Sequence, residues 1–347
     1  MSAQTRTPGA HQVSGSTSER TRPMRRSGHI GLWLLAAVLI LALTGATYEA
    51  GMAAGDAERY PPPGRLIDVG GRRLHLHCVG EGEPTVVLIS GLGGSSLLWQ
   101  RVQSAAEPLT RVCAYDRSGI GWSDPGSAAP TPAAVATELH ILLASAGVAG
   151  PYVLVGASVG GKYARMYAEQ FPQEIAGLVL VDSRHESLDA TLTPEAQAAA
   201  LAAAEQDGQL YRWLGRLGVM RLLGARLAAG TSPGAAQLDP RTATLLMLHA
   251  SHDKDINAML AESAMMTADD EQLRAARSLG DLPLIVLAAD SSLRDAGWRA
   301  GQDVQARLST NSRLVVVAQS SHFIALDQPD AVAVAIAQVL TAARTRR

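Results

Sequence analysis

Two short runs, Val153-Leu-Val155 and Leu178-Val-Leu-Val181, are apolar at every position, and a strand of that kind has to bury both of its faces. A sheet made of such strands needs helices above and below it, which directs the chain to a mostly parallel α/β arrangement. The remaining strands are read from β-branched or aliphatic runs bounded by Gly, Pro, Asp or Asn. They fall at Leu66 to Val69, Arg72 to Cys78, Thr85 to Ser90, Val112 to Tyr115, Tyr152 to Gly156, Gly177 to Val181, Pro283 to Ala288 and Arg313 to Val317. Gly70-Gly71 marks a hairpin between the first two, whereas helical stretches such as Pro132 to Ala146, Gly160 to Gln170 and Gln328 to Ala343 join later ones. The expected fold is an eight-stranded, mostly parallel sheet flanked by helices, with an antiparallel edge. Between Val181 and Pro283 no strand pattern occurs, and the Ala- and Leu-rich segment is expected to form a helical cap inserted in the core. The divisions are 65–184 and 279–347 for the core and 185–278 for the cap.

The N-terminus reads differently. Residues 1–27 carry five arginines against Glu19 and show no hydrophobic period, as expected of a disordered basic arm. Ser27 to Tyr48 then contains no Asp, Glu, Lys or Arg; as a helix it spans about 33 Å, enough to cross a bilayer core. Residues 28–48 are read as a membrane anchor, with Thr44-Gly45-Ala46 leaving a cleaved signal sequence as the alternative. The arginines before the run put the N-terminus in the cytoplasm and the body outside it, on the periplasmic or extracellular side. Residues 49–64, ending in Tyr60-Pro-Pro-Pro-Gly64, read as a stiff linker.

A formal net charge of −2 gives no general attraction for nucleic acid, and 47% hydrophobic residues exclude a disordered chain. Only two cysteines are present, too few for a disulfide scaffold or a four-cysteine zinc site. His75 with His77 and His249 with His252 are paired in sequence but lack a third convergent ligand, so no metal or cofactor is expected.

Gly156-Ala157-Ser158-Val159-Gly160 follows an apolar strand and opens a helix, the context in which a G-x-S-x-G turn presents its serine above a sheet. The amide of Val159, at the helix start, is then aimed at any oxyanion formed beside Ser158. A serine hydroxyl needs a base, and His322 sits just after the last expected strand, on the same sheet edge.

In order along the chain, Ser90-Gly91-Leu92-Gly93-Gly94, Asp116-Arg117-Ser118-Gly119-Ile120-Gly121-Trp122-Ser123-Asp124, the Ser158 turn and Ser321-His322-Phe323 resemble the α/β-hydrolase fold superfamily over residues 65–343. The resemblance implies a second oxyanion amide at Leu92 and a bracing role for Arg117 near the site. Ala157 and Ser321 stand where relatives commonly carry His and Gly, which bears on substrate preference. The acid position usual in the family falls on Ser292, so the acid is expected at Asp182, directly after the sixth strand, with Asp290 and then Asp295 behind it. Cys78 and Cys113 fall on neighbouring strands of that fold, as a bridge or as two buried thiols.

The expected function is that of a serine hydrolase for carboxylic esters or related acyl compounds. Ser158 is the nucleophile, His322 the base, Asp182 the acid, and Leu92 and Val159 the oxyanion donors. The partners expected are a small ester or acyl substrate and, through the N-terminal helix, the membrane. A proline-type aminopeptidase of the same fold is the first alternative; it needs cap acids, for which Glu195, Glu205, Glu262, Asp269, Asp270 and Glu271 are available. A ligand-binding protein without turnover is the second. Trp213, Leu214, Met220, Leu222 and Met247 are candidates for an apolar acyl pocket in the cap.

Overall fold

The computed structural model describes residues 26–189, 193–276 and 278–346. The basic arm expected over 1–27 therefore lies outside the described residues up to position 25. Two compact units are present, Met1–Thr44 and Gly45–Arg347. In the first, the described residues belong to a helix, Arg26–Ala53, whose last turns enter the second. Its stretch His29–Ala53 has a mean hydropathy of 2.2 and is long and apolar enough to cross a membrane.

In the second unit eight strands form one sheet in the order β1-β2-β4-β3-β5-β6-β7-β8. They are β1 Arg65–Asp68, β2 Arg73–Val79, β3 Thr85–Ile89, β4 Val112–Tyr115, β5 Tyr152–Ala157, β6 Ile175–Val181, β7 Leu284–Ala289 and β8 Ser312–Val317. All eight expected strands are present, displaced at their ends by two residues or fewer; β1 closes at Asp68, whose carboxylate accepts from the amides of Gly70 and Gly71 in the hairpin turn. The β1–β2 and β2–β4 pairs are antiparallel and the others parallel.

The double burial read from the apolar runs is visible along β3. Val87 and Ile89 pack with Leu139 and Leu142 of the helix Pro132–Ser145 and with Tyr163 and Tyr167 of Val159–Gln170. Val86 and Leu88 point the other way, onto a core with Trp99, Val102 and Ile336 of the helix Pro329–Thr345. Cys78 and Cys113 are register partners on β2 and β4, and a disulfide joins them.

Among the described residues no strand occurs between β6 and β7. The segment holds the helices Pro194–Arg216, Val219–Ala229, Pro240–Ser251, Asp253–Ala264 and Asp270–Ala275. Met220, Ala228, Ala243, Met247 and Leu248 give these cap helices a small core of their own. Buried ion pairs tie cap to sheet: Glu262 to Arg117 at 2.5 Å, and Asp270 to Lys162.

Residues 49–64, read as a stiff linker, make several contacts with the body. Arg221 of the cap binds both Glu49 and Asp56 at 2.7 Å, Trp122 Nε1 donates to the Tyr60 carbonyl at 3.0 Å, and the Arg241 guanidinium lies 5.1 Å from the Tyr60 ring centre. The prolines stiffen the segment, but charge pairing and ring contacts fasten it to the body.

Candidate active site

Parallel strands deliver their C-terminal ends to one edge of the sheet, where loops gather side chains distant in sequence. Here β3 leads into Ser90–Gly94, β5 into Ser158, β6 into Asp182, β7 into Asp290–Asp295 and β8 into His322.

Ser158 has φ 53° and ψ −125°, outside the regions an L-residue ordinarily occupies. Neighbouring contacts hold it there. Its amide donates to the Val181 carbonyl at 3.1 Å, and its carbonyl accepts from the amides of Gly161 at 3.1 Å and Arg184 at 3.0 Å. Glycine is required on both sides of the turn: a Cβ at Gly156 would collide with the Gly160 carbonyl, and one at Gly160 with the carbonyls of Ile89 and Ser90. The helix Val159–Gln170 starts at the next residue.

Among the three carboxylates weighed for the acid, Asp182 is the one against His322. Its Oδ2 lies 2.7 Å from His322 Nδ1. Asp182 is fully buried, while the imidazole keeps 36% of its surface exposed. Asp290 instead accepts from the amides of Gln319 and Ser320 at 2.9 and 3.1 Å, which hold its carboxyl below the ordinary range and fix the turn leading to His322. Asp295 caps the helix Ala296–Gln305, accepting from the Trp298 amide at 2.7 Å.

Two residues that sequence reasoning gave no role complete the surroundings of Asp182. Ser292 Oγ donates to its Oδ2 at 2.5 Å, and Trp298 Nε1 donates to its Oδ1 at 3.0 Å, with the Ala289 amide on Oδ1 at 3.1 Å. The Trp298 ring also meets the imidazole edge to face, 5.2 Å between centres. Ser292 had a signal, since a hydroxyl at the usual acid position next to a displaced acid can hydrogen-bond it; Trp298 had none. Ser321 likewise has a function as a hydroxyl. Its Oγ donates to Asp327 at 2.5 Å, and Asp327 also accepts from the amide of Gly234 at 2.7 Å, joining the His322 loop to the cap.

Leu92 and Val159 flank Ser158 on the wall of an open cavity of about 460 Å³ that also includes His322 and Trp298. Among the described residues, neither amide is engaged by a backbone carbonyl in a turn or loop. Arg117 is fully enclosed and reaches the loop before Leu92, donating to the carbonyls of Ser90 at 2.8 Å and Gly91 at 2.7 Å.

A second cavity, about 320 Å³ and mostly apolar, opens on the other side of Ser158 and His322. Leu98, Trp99, Val181, Phe323, Ile324 and Leu326 line it. None of the apolar cap residues expected there takes part. Met220 and Met247 are buried in the cap's own core, Leu214 packs against that core, and Trp213 and Leu222 are exposed by 59% and 64%. The lining comes instead mainly from the segment after β3 and the residues following His322.

Comparison with known proteins gives a consistent picture. A profile of the alpha/beta hydrolase fold family matches residues 84–329. An uncharacterised protein of Schizosaccharomyces pombe is 28% identical over 219 residues, covering 60% of this chain and 36% of that protein; the chain thus spans about a third of this curated relative. Among solved structures, a thermophilic esterase from Thermogutta terrifontis superposes with a TM-score of 0.60 at 22% identity, covering 80% of this chain and 97% of that one. An enol-lactonase from Burkholderia xenovorans gives a TM-score of 0.61 at 19% identity, covering 80% of this chain and all of the other. At these identities the structural likeness is one of fold.

Proposed function

The chain belongs to the α/β-hydrolase fold family, and from that premise we propose that it is a serine hydrolase acting on carboxylic esters or related acyl compounds. The observation that carries the reading is Ser158, held in a strained turn at a helix start, on the wall of both cavities with His322, whose other ring nitrogen meets a buried carboxylate.

In the proposed reaction Ser158 Oγ attacks the acyl carbon while His322 Nε2 takes its proton. The carbonyl oxygen becomes an oxyanion held by the amides of Leu92 and Val159, donors of a kind worth roughly 2.7–4 kcal/mol each in the transition state. Collapse breaks the bond to the leaving oxygen, which receives the proton from His322. Water, deprotonated by the same imidazole, then attacks the acyl-enzyme and releases the acid and free Ser158. Asp182 keeps Nδ1 protonated and facing it, and offsets the charge of the imidazolium.

Esters are favoured over amino-terminal peptides by the placement of the cap acids. Glu262 is paired with Arg117, Asp270 with Lys162, and Asp269 accepts from the Ala133 amide at 3.0 Å. None of the six candidates lines either cavity at Ser158, so no carboxylate among them faces the position of a substrate ammonium. The apolar N-terminal helix supports membrane attachment, with the body on the side away from the arginine-rich arm.

Reaction of the full chain with a fluorophosphonate, read by intact mass, tests the proposal. One adduct that disappears in Ser158→Ala, together with turnover of simple acyl esters in preference to amino-acid anilides, is the expected result. A folded protein that takes no label would remove the serine-hydrolase reading and favour ligand binding without turnover.

A further inference from the structure

Glu262, one of the cap acids available in the sequence for binding a substrate's amino terminus, has a different position in the structure. It projects from the cap helix Asp253–Ala264 with its side chain only 3% exposed. Oε1 accepts from Arg117 Nε at 2.5 Å, and Oε2 accepts from Arg117 Nη2 at 3.0 Å and from the Gly93 amide at 3.0 Å. Arg117 in turn donates to the carbonyls of Ser90 and Gly91. Three residues on the two sides of Leu92 are thus gripped from outside: Ser90 and Gly91 by their carbonyls, Gly93 by its amide. The Leu92 amide lies between these fixed points and, among the described residues, is engaged by no turn or loop carbonyl.

We propose that Glu262 is a positioning residue for the reaction, holding the Ser90–Gly94 loop through Arg117 and the Gly93 amide so that the Leu92 amide faces the oxyanion, and thereby making the docked cap a condition for a complete oxyanion site. The inference rests on the serine-hydrolase reading above. An oxyanion donor works by being in place before charge develops, and a glycine-rich loop has little stiffness of its own. Gly93 has φ 62°, and a Cβ there would run into Met259 of the same cap helix, so the loop and that helix are also fitted closely by shape. Burial opposes the charge on Arg117, and Glu262 more than offsets that effect, holding the guanidinium above its ordinary pKa and permanently charged. The guanidinium end of the brace therefore keeps its charge across the pH range in which an ester hydrolase works.

A group that merely fastens the cap would give the same structure, so the test compares two buried cap carboxylates. Asp270 also pairs with a buried cation, Lys162, which lies on the helix Val159–Gln170 and not on the Ser90–Gly94 loop. The full chain is prepared as wild type, Glu262→Gln, Glu262→Asp and Asp270→Asn, and the rate of fluorophosphonate labelling and the kcat and KM for a simple ester are measured on the folded fraction, scored by thermal melting. The expected result is a fall of about tenfold or more in labelling rate and kcat for Glu262→Gln, with KM changed far less, since removing a donor outright costs roughly 10²–10³ in kcat and displacing one costs less. Glu262→Asp keeps the charge but shortens the reach to Gly93; it covers the case in which the Gln variant does not fold, and its labelling rate is expected to fall as well. Asp270→Asn lowers the melting temperature without lowering the labelling rate of the folded protein.

The proposal is overturned if folded Glu262→Gln or Glu262→Asp labels at the wild-type rate, or if Asp270→Asn slows labelling as much as they do. Failure of the wild type itself to label would count against the serine-hydrolase reading and, with it, this one; normal wild-type labelling with unaffected variants would reject only the role of Glu262.

Discussion

His322 Nδ1 and Asp182 Oδ2 lie 2.7 Å apart although 140 residues separate them in the chain. The pairing follows from the sheet: β6 ends at Val181, β8 ends at Val317, and β7 runs between them. A carboxylate at the end of β6 can reach an imidazole beyond β8 only across the loop after β7. That loop supplies Ser292, and the helix behind it supplies Trp298, both donating to Asp182. With the Ala289 amide and His322, four donors surround a carboxylate that water does not reach, which is how a buried charge is made tolerable.

Replacing Asp182 by Asn should cost about 10⁴-fold in kcat, the scale seen when a triad acid is made neutral and the imidazole loses its productive tautomer. Asp290→Asn and Asp295→Asn should each stay within about tenfold, because their partners are the turn amides and a helix N-terminus, contacts of about 1 kcal/mol that an amide oxygen partly preserves. Steady-state kinetics on one ester for the three variants decides it, and a larger loss at Asp290 or Asp295 than at Asp182 would move the acid elsewhere.

Ser292→Ala and Trp298→Phe each remove one hydrogen bond to the Asp182 carboxylate. Bonds to charged groups are worth roughly 1.5–3 kcal/mol; since three donors besides His322 share this carboxylate, each loss should lower kcat by about tenfold, with KM little changed for Ser292→Ala. Trp298 also lines the open cavity and flanks the imidazole, so Trp298→Phe should alter KM as well. A Ser292→Ala variant with unchanged kcat would mean that the remaining donors suffice to hold the acid.

The parts of this arrangement that could be read from sequence are those set by local pattern. Apolar strands, the Gly70-Gly71 hairpin and the Ser158 turn each depend on residues within a few positions of one another, and all lie where expected. Asp182 could be placed at a strand end, but only tertiary structure shows that it, and not Asp290, faces His322. The apolar cavity was misplaced because Trp213 and Leu222 have the composition of a lining without its location, whereas Phe323 and Ile324 owe their position to the loop after β8. Glu262 shows the same limit: a cap acid is visible in sequence, but its burial against Arg117 is not.

The Cys78–Cys113 bridge spans a sequence separation of 35 and links β2 to β4 at the antiparallel side of the sheet. Closing a loop of that length in the unfolded chain is worth about 3–4 kcal/mol. Reduction should therefore lower the melting temperature by several degrees while leaving the labelling rate of the folded protein near its starting value, because neither cysteine lines the cavities at Ser158. Alkylation of two thiols after reduction and none before, read by mass, checks the bond; two thiols alkylated without reductant would mean that it does not form.

Asp255 should make stability fall as pH rises toward neutrality. It lies 4% exposed on a cap helix, with Oδ1 accepting from the Gly121 amide at 2.6 Å and Oδ2 3.5 Å from Lys254 Nζ. Burial raises its pKa to about 7, against the lowering effects of Lys254 and of the Gly121 amide, with Asp116 adding to the rise. Between about pH 4 and 7 the folded protein keeps a proton there that the unfolded chain has lost, so this contribution is full below the unfolded pKa and disappears as pH passes the folded one. His249, buried nearby and pushed down to about 3 chiefly by desolvation, acts in the opposite sense: the unfolded chain binds a proton below about pH 6.5 that the folded protein refuses, so its contribution is lost as pH falls. In the wild type the two slopes oppose each other across nearly the same window. Asp255→Asn leaves the histidine slope alone, so the variant should match the wild type near pH 4 and exceed it by about 2–4 kcal/mol near pH 8. Denaturant unfolding of both proteins at the two pH values measures the gap, and a gap that does not widen with pH would show that Asp255 is already ionised in the folded protein.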